Sequence, residues 1–135
     1  MKYEKLAQAA IDAKEFSYSP YSGFRVGAAL LTKSGKIYTG CNIENAAYSP
    51  TNCAERTALF KAVSEGEREF AAIAVAGSAQ GAEPGYCYPC GVCRQVLMEF
   101  AKGDFEVVVA RTATDYKVHG FAEIFPYGFG PGDIS

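Results

Sequence analysis

The chain has 135 residues, 49% of them hydrophobic and 21% charged, with a formal net charge of −2. That length builds one compact domain and is short for two, so residues 1–135 are read as a single unit. The balanced charge has no Lys/Arg run, which excludes an electrostatic grip on nucleic acid or on an anionic membrane, and no apolar stretch approaches the length of a bilayer span.

In chain order, Leu6, Ala9, Ala10 and Ala13 recur at helical spacing and predict an amphipathic helix over 3–15. Ser17 to Gly23 is rich in turn formers. Two strands, 24–32 and 36–41, flank Lys33-Ser34-Gly35 as a hairpin, and a polar loop follows from Asn42 to Asn52. A helix over 53–66 is expected to open at an Asn52 cap, with Glu55 three residues on as in a capping box, and to close at Gly66. Residues 70–76 read as a buried strand. After a Gly/Pro loop, a second core helix over 90–102 opens behind Pro89 and stops at Gly103. Strands over 105–110 and 116–119, one helical turn at 122–125 and an irregular tail complete the chain. A hairpin followed by alternating helices and strands predicts an α/β fold, a mixed sheet of about five strands sandwiched by helices.

Five cysteines and one histidine stand out in a chain of this size. Residues 1–10 carry Lys2, Glu4 and Lys5 and lack the apolar core of a secretion signal, so a reducing cytoplasm is expected. Clustered cysteines there indicate metal or catalysis rather than disulfides. Cys90 and Cys93 form a C-x-x-C on a predicted helix start, where positions i and i+3 share a face. A C-x-x-C alone is shared by redox thiol pairs and structural zinc sites. Cys41, Cys53, Cys87 and His119 are the candidates for further ligands. Cys53 is favoured, because a helix N-terminus lowers a thiol's pKa, and because Ala54-Glu55 then puts a carboxylate two residues from the metal. A catalytic zinc site keeps three protein ligands and leaves a fourth place for water, which the metal acidifies. A carboxylate that is not a ligand can accept and return the proton. Three thiolates overbalance a divalent zinc by one negative charge. Arg56 and Arg94 are placed to draw that charge off by hydrogen-bonding a ligand sulfur.

The stretches Tyr21-Ser22-x-Phe24-x-Val26-Gly27-Ala28-Ala29, Gly40-Cys41-Asn42-Ile43-Glu44-Asn45-Ala46-Ala47-Tyr48, Cys53-Ala54-Glu55-Arg56, Pro89-Cys90-Gly91-Val92-Cys93-Arg94-Gln95-Val96 and Phe125-Pro126-x-x-Phe129-Gly130-Pro131-x-Asp133 cover nearly the whole chain. In these it resembles the cytidine deaminase family, specifically its small, three-cysteine, homotetrameric branch. The resemblance implies one zinc ion per subunit on Cys53, Cys90 and Cys93. Glu55 would carry the proton from the zinc-bound water to the ring nitrogen and then to the departing amine, with attack at C4 of cytidine or deoxycytidine. It further implies that Asn42 and Glu44 bind the ribose and that Phe24 packs on the base. Backbone groups of Ala54 and Cys90 would read the base's polar edge, and Tyr48 and Phe129 would reach a neighbouring subunit's site. Two positions depart from the family pattern: Tyr88 stands where Ser is frequent, and Tyr127-Gly128 stand where small residues are usual. The implied role is pyrimidine salvage. The alternatives are a deaminase of a modified cytosine nucleoside such as blasticidin S, and a non-enzymatic zinc module closed by a fourth ligand from Cys41, Cys87 or His119.

Overall fold

The computed structural model describes residues 2–135. Its elements run α1 (Glu4–Lys14), β1 (Phe24–Thr32), β2 (Ile37–Cys41), α2 (Ala54–Ser64), β3 (Phe70–Ala79), α3 (Gly91–Met98), β4 (Glu106–Ala110), β5 (Tyr116–Gly120) and α4 (Phe121–Ile124), with a 3-10 turn over Pro131–Asp133. The strands form one mixed sheet in the order β2-β1-β3-β4-β5. β1 runs antiparallel to both β2 and β3, β3 and β4 are parallel, and β5 returns antiparallel at the edge. The parallel pair requires a crossover, and α3 provides it. The expected α/β sandwich is therefore the fold observed.

Side chains alternate across the sheet and sort its two faces. Ala29, Ala72, Ala74, Ala76, Val108 and Ala110 turn toward α1 and meet Leu6, Ala7 and Ala10. Ala28, Leu30, Ile73, Val107 and Val109 turn the other way, toward Ala54, Ala58, Leu59 and Leu97 of α2 and α3. Small residues let both helix layers come close. A Cβ on Gly27 would lie 2.0 Å from the Ala10 carbonyl oxygen, and one on Gly40 would lie 2.5 Å from the Ala58 nitrogen and 2.6 Å from the Ala54 oxygen. Backbone cannot yield to such contacts, so only glycine seats α1 on β1 and α2 on β2. Large side chains fill the rest: Leu30, Leu59, Ile73, Leu97 and Phe105 are fully buried, each contributing about 1.5–3 kcal/mol.

Three boundaries differ from the sequence expectation. Asn52 does not cap α2. Its backbone pairs in both directions with Ile43, and its side-chain amide donates to Thr57 Oγ1. The cap is Cys53, in extended geometry and without a side-chain cap bond, so Glu55 belongs to no capping box. The second core helix ends at Met98, not at 102. The Phe100 and Ala101 N–H groups both return to the Leu97 carbonyl, and the Phe100 ring turns edge-on to Phe70 at 5.7 Å. β3 runs on to Ala79, because β1 pairs with it along nearly its whole length, Phe24 opposite Ala79.

That last pairing fixes where a site can form. The end of β3, the start of β1 and the end of β2 lie at one end of the sheet, and the loops there lead into α2 and α3. Gly40→Ala is expected to push α2 off the sheet and lower the free energy of unfolding by about 2–3 kcal/mol in a denaturant titration. An unchanged midpoint would show that α2 is not seated through that glycine.

Candidate active site

Two helix N-termini converge at this end of the sheet. Cys53 is the N-cap of α2. Cys90 is the N-cap of α3, and its sulfur accepts from the Cys93 N–H at 3.5 Å. Unpaired N–H groups and the helix dipole at the start of α2 favour a thiolate at Cys53. The Sγ atoms of Cys53, Cys90 and Cys93 all lie within 4.8 Å of one another, the one such group among the described residues. Cys53 and Cys90 are 3.7 Å apart. Sulfurs at about 2.3 Å from a tetrahedral zinc are separated by about 3.8 Å, so this donor set fits a zinc ion. Cys41, Cys87 and His119 stand outside the group. Cys41 points to the Phe16 carbonyl, and His119 bonds Tyr88 and Glu123.

The electrostatics suit a metal. Arg56 Nη2 donates to Cys53 Sγ at 3.1 Å, while its Nε is buried without a partner. The Cys53 thiol is pulled down to about 5, first by the hydrogen bond it shares with Cys93, then by the Arg56 and Cys90 bonds, against its burial. The same shared bond, with burial, pushes Cys93 up. Two thiols competing for one proton is the arrangement a cation relieves. Arg94 makes no bond to a ligand sulfur. Its Nε and Nη1 donate to the Pro89 and Ile124 carbonyls at 2.7 and 2.6 Å, so it braces the backbone just before Cys90 rather than drawing charge from the metal site.

Glu55, in the first turn of α2, is only 4% exposed. Burial pushes its carboxyl up to about 7, opposed by its own backbone N–H, aided by the charge on Cys53, and opposed again by Arg56 and a bond from Cys93. Glu55, Ala54, Cys53 and Cys90 border a cavity of about 280 Å³, which also meets Phe24, Asn42 and Glu44. That is just under the range of roughly 300–1,000 Å³ common for small-molecule sites. Its walls thus combine sulfur and carboxyl groups, the Phe24 ring and the polar side chains of Asn42 and Glu44.

The polar wall is built from internal hydrogen bonds. Asn42 Oδ1 accepts from the Val26 N–H and the Ser17 hydroxyl, and its amide donates to the Phe24 carbonyl. Glu44 accepts from the Tyr21 and Ser22 N–H groups at 2.9 and 3.1 Å and from the Ser22 hydroxyl, which holds its carboxyl below the usual range. Tyr48 and Phe129 do not border this cavity. They are 72% and 59% exposed, and Tyr48 has a φ of 64°. Ser22, Val26, Thr51 and Asn52 also line it, though none was expected to, and Cys87 and Tyr88 line it as well. For Thr51 and Asn52 the reason is the bridge to Ile43, a pairing between loop residues with no periodic signature. Cys87 arrives through a loop bridged to β3 at Gly77, where its sulfur sits 2.8 Å from the place a Cβ would occupy.

A sheet carrying two cysteine-capped helix starts and a buried carboxyl defines a zinc-site class of α/β protein. Residues 1–110 match the model of the cytidine and deoxycytidylate deaminase zinc-binding region, and the chain belongs to that family. It is 49% identical to a cytidine deaminase of Sporosarcina psychrophila over all of this chain and 96% of the relative. It is 46% identical to one of Halalkalibacterium halodurans over all of this chain and 99% of that relative. The crystal structure of cytidine deaminase from Burkholderia pseudomallei superimposes with a TM-score of 0.85 at 48% identity, covering 96% of this chain and all of that one. No helix among the described residues is long and apolar enough to cross a membrane.

Removing the Arg56 donor is expected to weaken zinc binding. Arg56→Leu should cost about tenfold or more in affinity, measured by competition with a chromophoric chelator, and Cys53→Ala should lose the metal and part of the stability with it. Full zinc content in Cys53→Ala would mean a different ligand set.

Proposed function

We propose that this chain, acting as one catalytic domain over residues 1–135, hydrolyses cytidine and deoxycytidine to uridine and deoxyuridine with release of ammonia. The observation that carries the reading is the buried Glu55 carboxyl, which lies beside three thiols on the wall of a nucleoside-scale cavity. A structural zinc site closes with four protein ligands and has no use for such a group. Bound by Cys53, Cys90 and Cys93, one zinc ion per subunit supplies the Lewis acidity that brings water to its nucleophilic form near neutral pH.

The remaining chemistry belongs to Glu55 and the cavity walls. Deamination forms a C4–O bond and breaks the C4–N bond. Both protons of the attacking water leave its oxygen in turn, one arriving at the ring nitrogen and the other at the departing amine. Glu55 handles them in turn. A carboxyl positioned near 7 gains and loses a proton with little cost at neutral pH, which a solvated glutamate does not. Its burial also keeps bulk water from competing for the transfer. The low dielectric strengthens each interaction it makes.

Substrate orientation follows from unused bonding capacity. Three of the roughly four acceptor sites on the Glu44 carboxylate are taken, and one N–H of the Asn42 amide is taken. The remainder suits the donor and acceptor of ribose hydroxyls, held in place by the bonds already made. Phe24 offers its ring to the base, and the backbones of Ala54 and Cys90 its polar edge. Arg56 stabilises the thiolate of Cys53, and Arg94 positions Cys90 through the Pro89 carbonyl. Tyr48 and Phe129, both exposed aromatics, serve the site of a neighbouring protomer in a homotetramer. Tyr48 holds a φ that a tyrosine rarely adopts, as residues at functional contacts do. The setting is cytoplasmic pyrimidine salvage, with free nucleoside rather than nucleic acid as the partner.

Glu55→Gln separates binding from chemistry. The variant is expected to keep its fold and its zinc while turnover of cytidine, followed by the loss of its absorbance, falls about 10²–10⁴-fold. Wild-type rates in the variant would remove Glu55 from the reaction. A zinc-loaded wild type inactive on cytidine would move the reading to a modified cytosine nucleoside.

A further inference from the structure

Tyr88 lines the cavity together with its chain neighbours Cys87 and Cys90, yet its hydroxyl is fixed from the far edge of the sheet. Its Oη lies 2.9 Å from His119 Nε2, and His119 Nδ1 lies 3.0 Å from Glu123 Oε2. A carboxylate only accepts, so Nδ1 carries a proton, and in the neutral imidazole Nε2 is then the acceptor for the Tyr88 hydroxyl. The two rings also meet, with centroids 5.4 Å apart and planes tilted by 51°. His119 is itself held in register opposite the buried Val107, and α4 places Glu123 one turn beyond it. A residue on an irregular loop is thus tied through two hydrogen bonds to a strand and a helix.

Such a tie restricts the side chain more than the loop alone would. An exposed tyrosine freely samples rotamers and makes a soft wall. One bonded at its tip and stacked on a second ring makes a hard one. The cavity is small, and one added methyl group in a confined pocket is discriminated by about 10–200-fold. We propose that Tyr88, held by His119 and Glu123, is a specificity-determining residue that sets the width of the cavity. It thereby excludes cytosine nucleosides carrying an extra alkyl group on the reacting amine or on the adjacent ring carbon. The inference rests on the deaminase reading, in which the reacting carbon faces the three thiols. In it His119 and Glu123 are positioning residues, acting only through Tyr88.

The test compares kcat/KM for cytidine, N4-methylcytidine and 5-methylcytidine in wild type, Tyr88→Ser, Tyr88→Phe and His119→Ala, with zinc content measured for each. The readout is the ratio of methylated to unmethylated substrate, which general destabilisation does not move. Tyr88→Ser is expected to raise that ratio about tenfold or more for at least one methylated nucleoside. Tyr88→Phe and His119→Ala are expected to raise it less, and through KM, because the ring remains but is no longer anchored. Should Tyr88→Ser lose its zinc, the other two variants decide, and an unchanged ratio in both overturns the proposal. An unchanged ratio in a zinc-loaded Tyr88→Ser that still deaminates cytidine overturns it too, while the deaminase reading stands. Wild type unable to deaminate cytidine removes the reading and the proposal with it.

Discussion

The seating of α2 against β2 at glycine distance is the contact on which the site depends. Gly40 leaves no Cβ between the strand and the Ala54 and Ala58 backbone, so the first turn of α2 is fixed relative to the end of the sheet. Cys53, Ala54 and Glu55 are that first turn and its cap. A shift of one methyl's width there would separate the Cys53 sulfur from Cys90 and Cys93, which arrive on a different helix. The packing of Ala54, Ala58 and Leu59 with Leu97 in one cluster holds the two helices to each other as well as to the sheet. Core packing and site geometry are in this sense the same set of contacts.

Burial then decides the chemistry. The same carboxyl on a solvated helix start would be ionised at neutral pH and would serve only to favour the dipole. Buried on the cavity wall near Cys53, it is shielded and its pKa raised toward neutrality. The cysteines show the complementary effect. A shared hydrogen bond and the Arg56 guanidinium draw Cys53 toward thiolate, while Cys93, fully buried behind it, is pushed the other way. A divalent cation held by all three sulfurs would relieve this imbalance, as the donor set suits zinc.

The two arginines illustrate how proximity in sequence differs from contact. Both lie next to ligand cysteines, and the sequence places them equally well to touch sulfur. On α2, three residues after the cap, Arg56 comes round to the same face and does. Arg94 directly follows Cys93 on α3, so it projects from a different side of the helix and meets the Pro89 and Ile124 carbonyls instead. The helix start misassigned to Asn52 has a similar origin. A residue with ideal capping chemistry was claimed by a bridge to Ile43, a partner nine residues earlier that no local pattern announces.

By itself the sequence determined the order and nature of the elements, the alternation that sorts the core onto two faces, and the chemical identity of the thiols and carboxyl. These depend on local periodicity, propensity and residue type, all written along the chain. Only the tertiary structure decided that Cys53 meets Cys90 and Cys93 while Cys41, Cys87 and His119 stay apart. It alone showed that Asn42 and Glu44 are already braced by Ser17, Val26, Tyr21 and Ser22, that Tyr48 and Phe129 do not border the cavity, and that His119 reaches Tyr88. Each of those joins residues distant in the chain, and their distances are set by how the helices seat on the sheet, a quantity no stretch of sequence carries alone.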